Sequence, residues 1–153
     1  MLEIERKFLI KDLVQIRPFL VDGLNLRQGY LFDAQDKSLR VRIASNNATI
    51  TMKFGVNALV REEFEYEIPL EDAESLWRLC SKKLSKTRYR IMHAGNLWEI
   101  DVFHEKNEGL VLAEIELSAP DQVFEPPFWL GEEVTGQIPY YNSQLSIKPY
   151  KEW

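Results

Sequence analysis

Seven stretches of this sequence alternate between polar and apolar residues, and that period of two constrains the fold more than any other feature. Successive side chains of a strand point to opposite faces, so alternation sorts residues by face. EIERKF (3–8) sets Glu3, Glu5 and Lys7 against Ile4 and Phe8. SLRVRI (38–43) sets Arg40 and Arg42 against Leu39, Val41 and Ile43, and TITMKF (49–54) sets Thr49, Thr51 and Lys53 against Ile50, Met52 and Phe54. REEFEYEI (61–68) sets Arg61, Glu63, Glu65 and Glu67 against Phe64, Tyr66 and Ile68, and KTRYRI (86–91) sets Lys86, Arg88 and Arg90 against Tyr89 and Ile91. LWEIDVF (97–103) sets Glu99 and Asp101 against Trp98, Ile100 and Val102, and AEIEL (113–117) sets Glu114 and Glu116 against Ala113, Ile115 and Leu117. One face of the predicted sheet is nearly all ionic, with pairs of acids on some strands and pairs of bases on others.

Eight strands are predicted, over 2–9, 24–32, 38–44, 48–55, 59–68, 86–93, 97–103 and 110–118, with hairpin turns at Asn46-Asn47 and Ala94-Gly95-Asn96. Residues 71–83 carry Ala73, Leu76, Trp77 and Cys80 at i, i+3, i+4 and i+7, the spacing of an amphipathic helix. A short helix cut by Pro18 is expected within 11–20, and another around 140–147. Cys80, Trp77, Trp98 and Trp129 read as packing residues. Repeats and long linkers are absent, so 153 residues fit one domain, 1–153, whose Pro-rich aromatic end (about 119–153) packs on or plugs the sheet.

Composition removes several function classes. No apolar stretch approaches the roughly 18 residues of a membrane span and no signal-peptide pattern opens the chain, which points to a cytoplasmic protein with no membrane partner. A net charge of −5 argues against a general nucleic-acid surface. Cys80 is the single cysteine, so neither an internal disulfide nor a cysteine metal cluster can form. His93 and His104 lack HExxH spacing and read as surface residues, and glycine-rich phosphate loops and G-x-S-x-G motifs are missing. Phosphate must therefore be met by Arg and Lys side chains, and any metal by carboxylates.

Two architectures fit the sorted alternation. A half-solvated antiparallel sheet would pair its charges across strands, each pair contributing about 0.2–1 kcal/mol. A closed barrel would put the ionic face inside, and eight strands leave room there for side chains or one small ligand. Burying so many ions dry costs several kcal/mol apiece, so the second architecture requires a wet interior that holds an anion and divalent cations.

The ordered motifs resemble the CYTH, or triphosphate tunnel metalloenzyme, superfamily. EIERK (3–7) fits its ExExK signature, and LRQGYL (26–31), SLRVR (38–42), TMK (51–53), the Glu63/Glu65 strand, KTRY (86–89), EIDVF (99–103) and AEIEL (113–117) follow in its order. The tail FEPPFWLGEEVT (124–135) is similar to that of the small bacterial members. The resemblance implies an α+β, mainly β fold: an eight-stranded antiparallel barrel forming a triphosphate tunnel, with flanking helices. It further implies Mg²⁺- or Mn²⁺-dependent hydrolysis of a triphosphate, with inorganic tripolyphosphate as the expected substrate.

Position by position, the resemblance implies triphosphate binding by Lys7, Arg40, Arg42, Lys53 and Arg88. It implies metal binding by Glu3, Glu5, Glu114 and Glu116, with Asp101 and Glu63 in the same set. Lys86 resembles the base near the attacking water, together with Lys7, and Tyr30 is a second candidate for proton transfer. Arg61, Glu65, Glu67, Arg90 and Glu99 read as internal ion pairs or solvated charges, and Glu132-Glu133 as a solvated pair or part of the tunnel mouth. The chemistry is coherent on its own terms. Phosphoryl transfer is catalysed mostly by positioning and charge neutralisation, Arg forks suit phosphate, and Mg²⁺ prefers hard oxygen ligands. An adenylate cyclase, a thiamine triphosphatase and a non-catalytic polyphosphate or nucleotide binder remain alternatives on the same fold, and the sequence is compatible with a homodimer.

Overall fold

The computed structural model describes residues 2–34, 36–55, 57 and 59–153. Eight antiparallel strands close on themselves: β1 (Leu2–Ile10), β2 (Leu24–Ala34), β3 (Lys37–Ala44), β4 (Asn47–Gly55), β5 (Val60–Glu67), β6 (Lys82–His93), β7 (Asn96–Phe103) and β8 (Val111–Glu116). The order around the barrel is β5-β4-β3-β2-β6-β7-β8-β1, and β1 pairs back with β5 through Leu2↔Glu62, Glu3↔Arg61 and Ile4↔Val60. Closure removes free sheet edges. A ninth strand, β9 (Leu130–Glu133), adds to the far end of β1 through Phe8↔Glu133 and Ile10↔Leu130. Four residues with no alternation gave it no sequence signal.

Alternation carries through to the structure. Apolar partners of the ionic residues face outward and are covered in two places. On one flank, α2 (Leu70–Leu79) packs Ala73 with Val41, Ile43, Ala48 and Cys80. It ends at Leu79, with Cys80 as its extended C-cap, rather than continuing to 83, because β6 begins at Lys82, four residues earlier than the sequence predicts. The helix lies close over β2 at Gly29, where a Cβ would stand 2.8 Å from Cys80 Sγ. On the other flank the C-terminal segment brings Trp129 onto Trp98 edge-to-face at 5.3 Å and Phe124 onto both Trp98 and Phe8. Each such pair contributes about 0.5–1.5 kcal/mol beyond its buried area.

Turn chemistry fixes the register of the hairpins. Ala94 (φ 47°) and Gly95 (φ 79°) both take the left-handed conformation between His93 and Asn96, as a two-residue turn between twisted strands demands. The β3–β4 turn falls on Ser45 and Asn46, one residue before its expected place, because Ala44 pairs with Asn47 and Ser45 takes φ 52°. The helix expected in 11–20 is one turn, α1 (Leu13–Ile16), capped by Asp12 Oδ1, and Pro18 falls in a 3-10 turn behind it. The helix expected around 140–147 shrinks to α3 (Asn142–Leu145) after a 3-10 turn at Ile138–Tyr140.

One end of the interior is apolar. Inward-facing Tyr30, Leu84, Phe103 and Leu112 form a cluster with Val134 and Leu145 of the C-terminal segment. That segment therefore both flanks the barrel and packs against its inner face. Arg6 ties it down through a fork to Glu133. Glu133 is thus engaged outside the site. Among the described residues no helix is long and apolar enough to cross a membrane.

Candidate active site

The ionic faces of the barrel strands converge on one cavity of about 590 Å³. Six basic side chains line it: Lys7, Arg40, Arg42, Lys53, Arg61 and Arg88. Seven carboxylates face them: Glu3, Glu5, Glu63, Glu65, Glu99, Glu114 and Glu116. Strand parity alone accounts for this, since each of these residues sits on the ionic side of its alternation. The C-terminal segment supplies a wall of Thr135, Gly136, Tyr141, Asn142 and Ser143, and Arg61 stacks its guanidinium 4.7 Å over the Tyr141 ring.

Most of the cations are tied to acids. Lys53 Nζ reaches Glu3 at 2.6 Å and Glu63 at 2.7 Å, bridging the seam where β1 meets β5. Lys7 Nζ lies 2.9 Å from Glu114 and 3.8 Å from Glu5. Arg88 donates twice to Asp101 at 2.7 Å, once to Glu114 at 2.6 Å, and also to Glu99. Arg40 donates to Thr51 Oγ1 at 3.1 Å and stands 3.6 Å from Glu65. Two of these cations have neither an ion pair nor a hydrogen bond among the described residues: Arg61, which stacks on Tyr141, and Arg42. The Nε of Arg42 is buried without a partner. Burial, then Arg40 and Arg88 nearby, pull its guanidinium down to about 10. Arg42 thus stands beside Arg40 and Arg88 without a counter-ion of its own among the described residues.

The opposite imbalance sits on β1 and β8. Glu5 and Glu116 are directly opposed across those strands. Like charges so placed repel. Burial, then Glu114, raise the Glu5 carboxyl above its ordinary range. Burial, then Glu3 and Glu5, do the same for Glu116. Glu5 still keeps 32% of its side-chain surface, opening onto the cavity it lines, so its surroundings are a deep wet recess and not dry core. Glu3 and Glu63 are occupied by Lys53, and Glu114 by Lys7 and Arg88. No cluster of three or more Asp, Glu, His or Cys side chains is arranged to hold an ion among the described residues. The donor set nonetheless suits a hard divalent cation: two facing carboxylates whose repulsion a cation would relieve, with the remaining coordination left to phosphate oxygens and water.

Two residues that the resemblance places in the site lie outside its wall. Lys86 and Asp101 are each fully buried, joined at 2.5 Å behind Arg88, and neither lines the cavity. Parity gave their face correctly but says nothing of depth along the barrel axis. Burial and Arg88 lower Lys86 to about 8. Burial works against ionisation of Asp101 too, but Arg88 and Lys86 outweigh it and hold the carboxyl below its usual range. For Lys7, burial is overcome by Glu114 and Glu5, which keep it well above the ordinary lysine value. Arg61, Glu65 and Glu99, which read from the sequence as internal ion pairs or solvated charges, also line the cavity, and Glu65 and Glu99 pair there with Arg40 and Arg88. Sequence reasoning had no signal for the C-terminal wall, which is irregular.

This sequence matches the CYTH domain over residues 1–145. The chain belongs to the CYTH family. Its CYTH relatives include an inorganic triphosphatase of Acetivibrio thermocellus, 44% identical over 99% of this chain and 97% of that protein. An inorganic triphosphatase of Nitrosomonas europaea is 37% identical over 96% of this chain and 98% of its own length. A crystal structure of an inorganic triphosphatase superposes with a TM-score of 0.66 at 34% identity, covering 95% of this CYTH chain and 94% of the other.

Proposed function

We propose that this CYTH domain hydrolyses inorganic tripolyphosphate to pyrophosphate and phosphate, with Mg²⁺ or Mn²⁺ held at Glu5 and Glu116. The observation that carries the reading is Arg42, unpaired among the described residues, beside Arg40 and Arg88 in a cavity whose other wall holds two opposed carboxylates. A polyanion that arrives with a divalent cation would relieve both imbalances at once, its phosphates at Arg42 and its cation between Glu5 and Glu116. The names of the full-length relatives favour the same substrate. Arg40 and Arg42 offer planar forks to phosphate oxygens, and Lys53, Lys7 and Arg88 extend the positive surface. The metal supplies charge neutralisation and a hard-oxygen template. Water attacks one terminal phosphorus, the P–O bond to the rest of the chain breaks, and no residue of the protein is covalently modified.

The test is a substrate panel of tripolyphosphate, ATP and thiamine triphosphate with Mg²⁺ and with Mn²⁺. Phosphate and pyrophosphate should appear from tripolyphosphate with the highest kcat/KM, and chelation should abolish the reaction. Cyclic AMP from ATP without cleavage of tripolyphosphate would replace this reading with a cyclase, and binding without turnover of any substrate would leave only a binder.

The three residues given proton-transfer roles separate. Lys7 stays an ammonium at neutral pH and serves as a cation. Tyr30 lines the cavity, where its hydroxyl can meet water. Lys86, in the layer behind, loses its proton near pH 8. The kcat on tripolyphosphate should therefore rise with pH through about 8 as Lys86 becomes neutral. Lys86→Met should flatten that rise, and Tyr30→Phe should lower kcat but keep it. An unchanged inflection in Lys86→Met takes the lysine out of the proton chemistry.

A further inference from the structure

Gln28 stands on β2 with no exposed surface, and both its amide oxygen and amide nitrogen lack a partner among the described residues. Burying an unpaired amide costs stability, so a side chain of this kind needs a reason. Its cross-strand partner on β3 is Arg42, and on β6 it faces Leu84. Cross-strand partners project on the same face, so Gln28 points inward beside the guanidinium. Arg42 Nε is itself buried and unpartnered. Two adjacent strands thus hold a buried acceptor and a buried donor, each unused. Gln28 does not line the cavity, whereas Arg42 does.

Resting on the reading of the cavity as a tripolyphosphate site, we propose that Gln28 is a positioning residue for Arg42: its amide oxygen accepts the Nε–H when an anion engages the terminal nitrogens. The residue type matters. The neighbouring cations Lys7, Lys53, Lys86 and Arg88 are held by carboxylates. A carboxylate at position 28 would fix Arg42 equally well but cancel the charge that the ligand needs. A neutral amide orients the fork and leaves its charge available. It also lies outside the cavity lining, so its own acceptor does not meet the phosphate.

Titration calorimetry with tripolyphosphate in metal-free buffer reads this without turnover, so a failure of hydrolysis and a failure of the inference are separate results. Gln28→Met keeps length and volume but removes the amide. It should raise Kd about tenfold, the order expected for one hydrogen bond to a charged group. It should leave the thermal midpoint unchanged or higher, since an unsatisfied amide is lost. The second half of the cycle uses Arg42→Lys, which keeps a charge but has no Nε–H. In that background Gln28→Met should change Kd by less than about twofold, because the two positions act as one unit. An equal Kd ratio in both backgrounds, a Kd for the single variant within twofold of wild type, or no uptake of tripolyphosphate by the wild-type protein overturns the inference. If Gln28→Met lowers the midpoint, the cycle still decides, because a packing defect would weaken both backgrounds alike.

Discussion

Glu116→Gln and Glu5→Gln are each expected to lower kcat/KM on tripolyphosphate by about a hundredfold at fixed Mg²⁺, the scale on which removing one fixed electrostatic group acts. Raising Mg²⁺ or Mn²⁺ should recover part of that loss. The fold should not suffer, and the sign can be worked out. Burial and neighbouring acids raise both carboxyls above their ordinary values. A carboxyl with a raised folded value opposes folding once pH rises above its unfolded value, because its charged form is the disfavoured one. Removing that charge at neutral pH therefore leaves the thermal midpoint unchanged or higher. Loss of activity with retained stability is a pattern that a structural salt bridge would not give. The measurement is a pair of Mg²⁺ titrations of activity alongside thermal melts. Activity within twofold of wild type at every metal concentration, in both variants, removes these two acids from the metal site.

The sequence disclosed the faces of this barrel far better than its depths. Alternation is a local property, so Glu3, Glu5 and Lys7, or Arg40 and Arg42, could be assigned to one side from a few residues each. Closure into a barrel then sends those sides to a common interior, and eleven of the thirteen predicted site residues line one cavity. Lys86 and Asp101 are the two that do not, because position along the barrel axis depends on strand stagger, which no single strand encodes. Partner choice was equally hidden. Lys53 engages Glu3 and Glu63 on two other strands, whereas Arg42 makes no ion pair or hydrogen bond among the described residues, yet both are cations in similar alternating strands. β9 was illegible for another reason, since neither period applies to a segment of four residues. The helix expected around 140–147 forms only as α3, and no period placed Tyr141 in the cavity wall. Gln28 shows the limit of reading by charge: β2 presents Leu26, Gln28 and Tyr30 to the interior, with no ionic alternation to single the amide out until its burial is known.

Asp101→Asn is expected to cost about 3–5 kcal/mol of unfolding free energy, the range for breaking a buried ion pair on one side. Asp101 accepts from Lys86 Nζ at 2.5 Å and twice from Arg88 at 2.7 Å, with no exposed surface. Arg88 would retain Glu99 and Glu114, but Lys86 would lose the one ion pair it makes among the described residues. Most of the loss should therefore trace to Lys86. In urea denaturation, Asp101→Leu combined with Lys86→Met should regain a large part of what Asp101→Leu alone loses, since apolar groups of similar size can replace a buried pair. The pH dependence carries a second signature. Burial and Arg88 bring the folded Lys86 to about 8, below its unfolded value near 10.4, so between those limits the unfolded state binds more protons and stability rises with pH. Without Asp101 the ammonium is less favoured still, and that rising limb should begin at lower pH. Asp101 itself acts at the acid end: its depressed carboxyl contributes stability above its unfolded value near 3.9, lost as pH falls through the folded value. A loss below about 1 kcal/mol for Asp101→Asn, as for an exposed pair, with no displacement of the alkaline limb, would mean that water reaches this layer and that Lys86 is not held by Asp101 in solution.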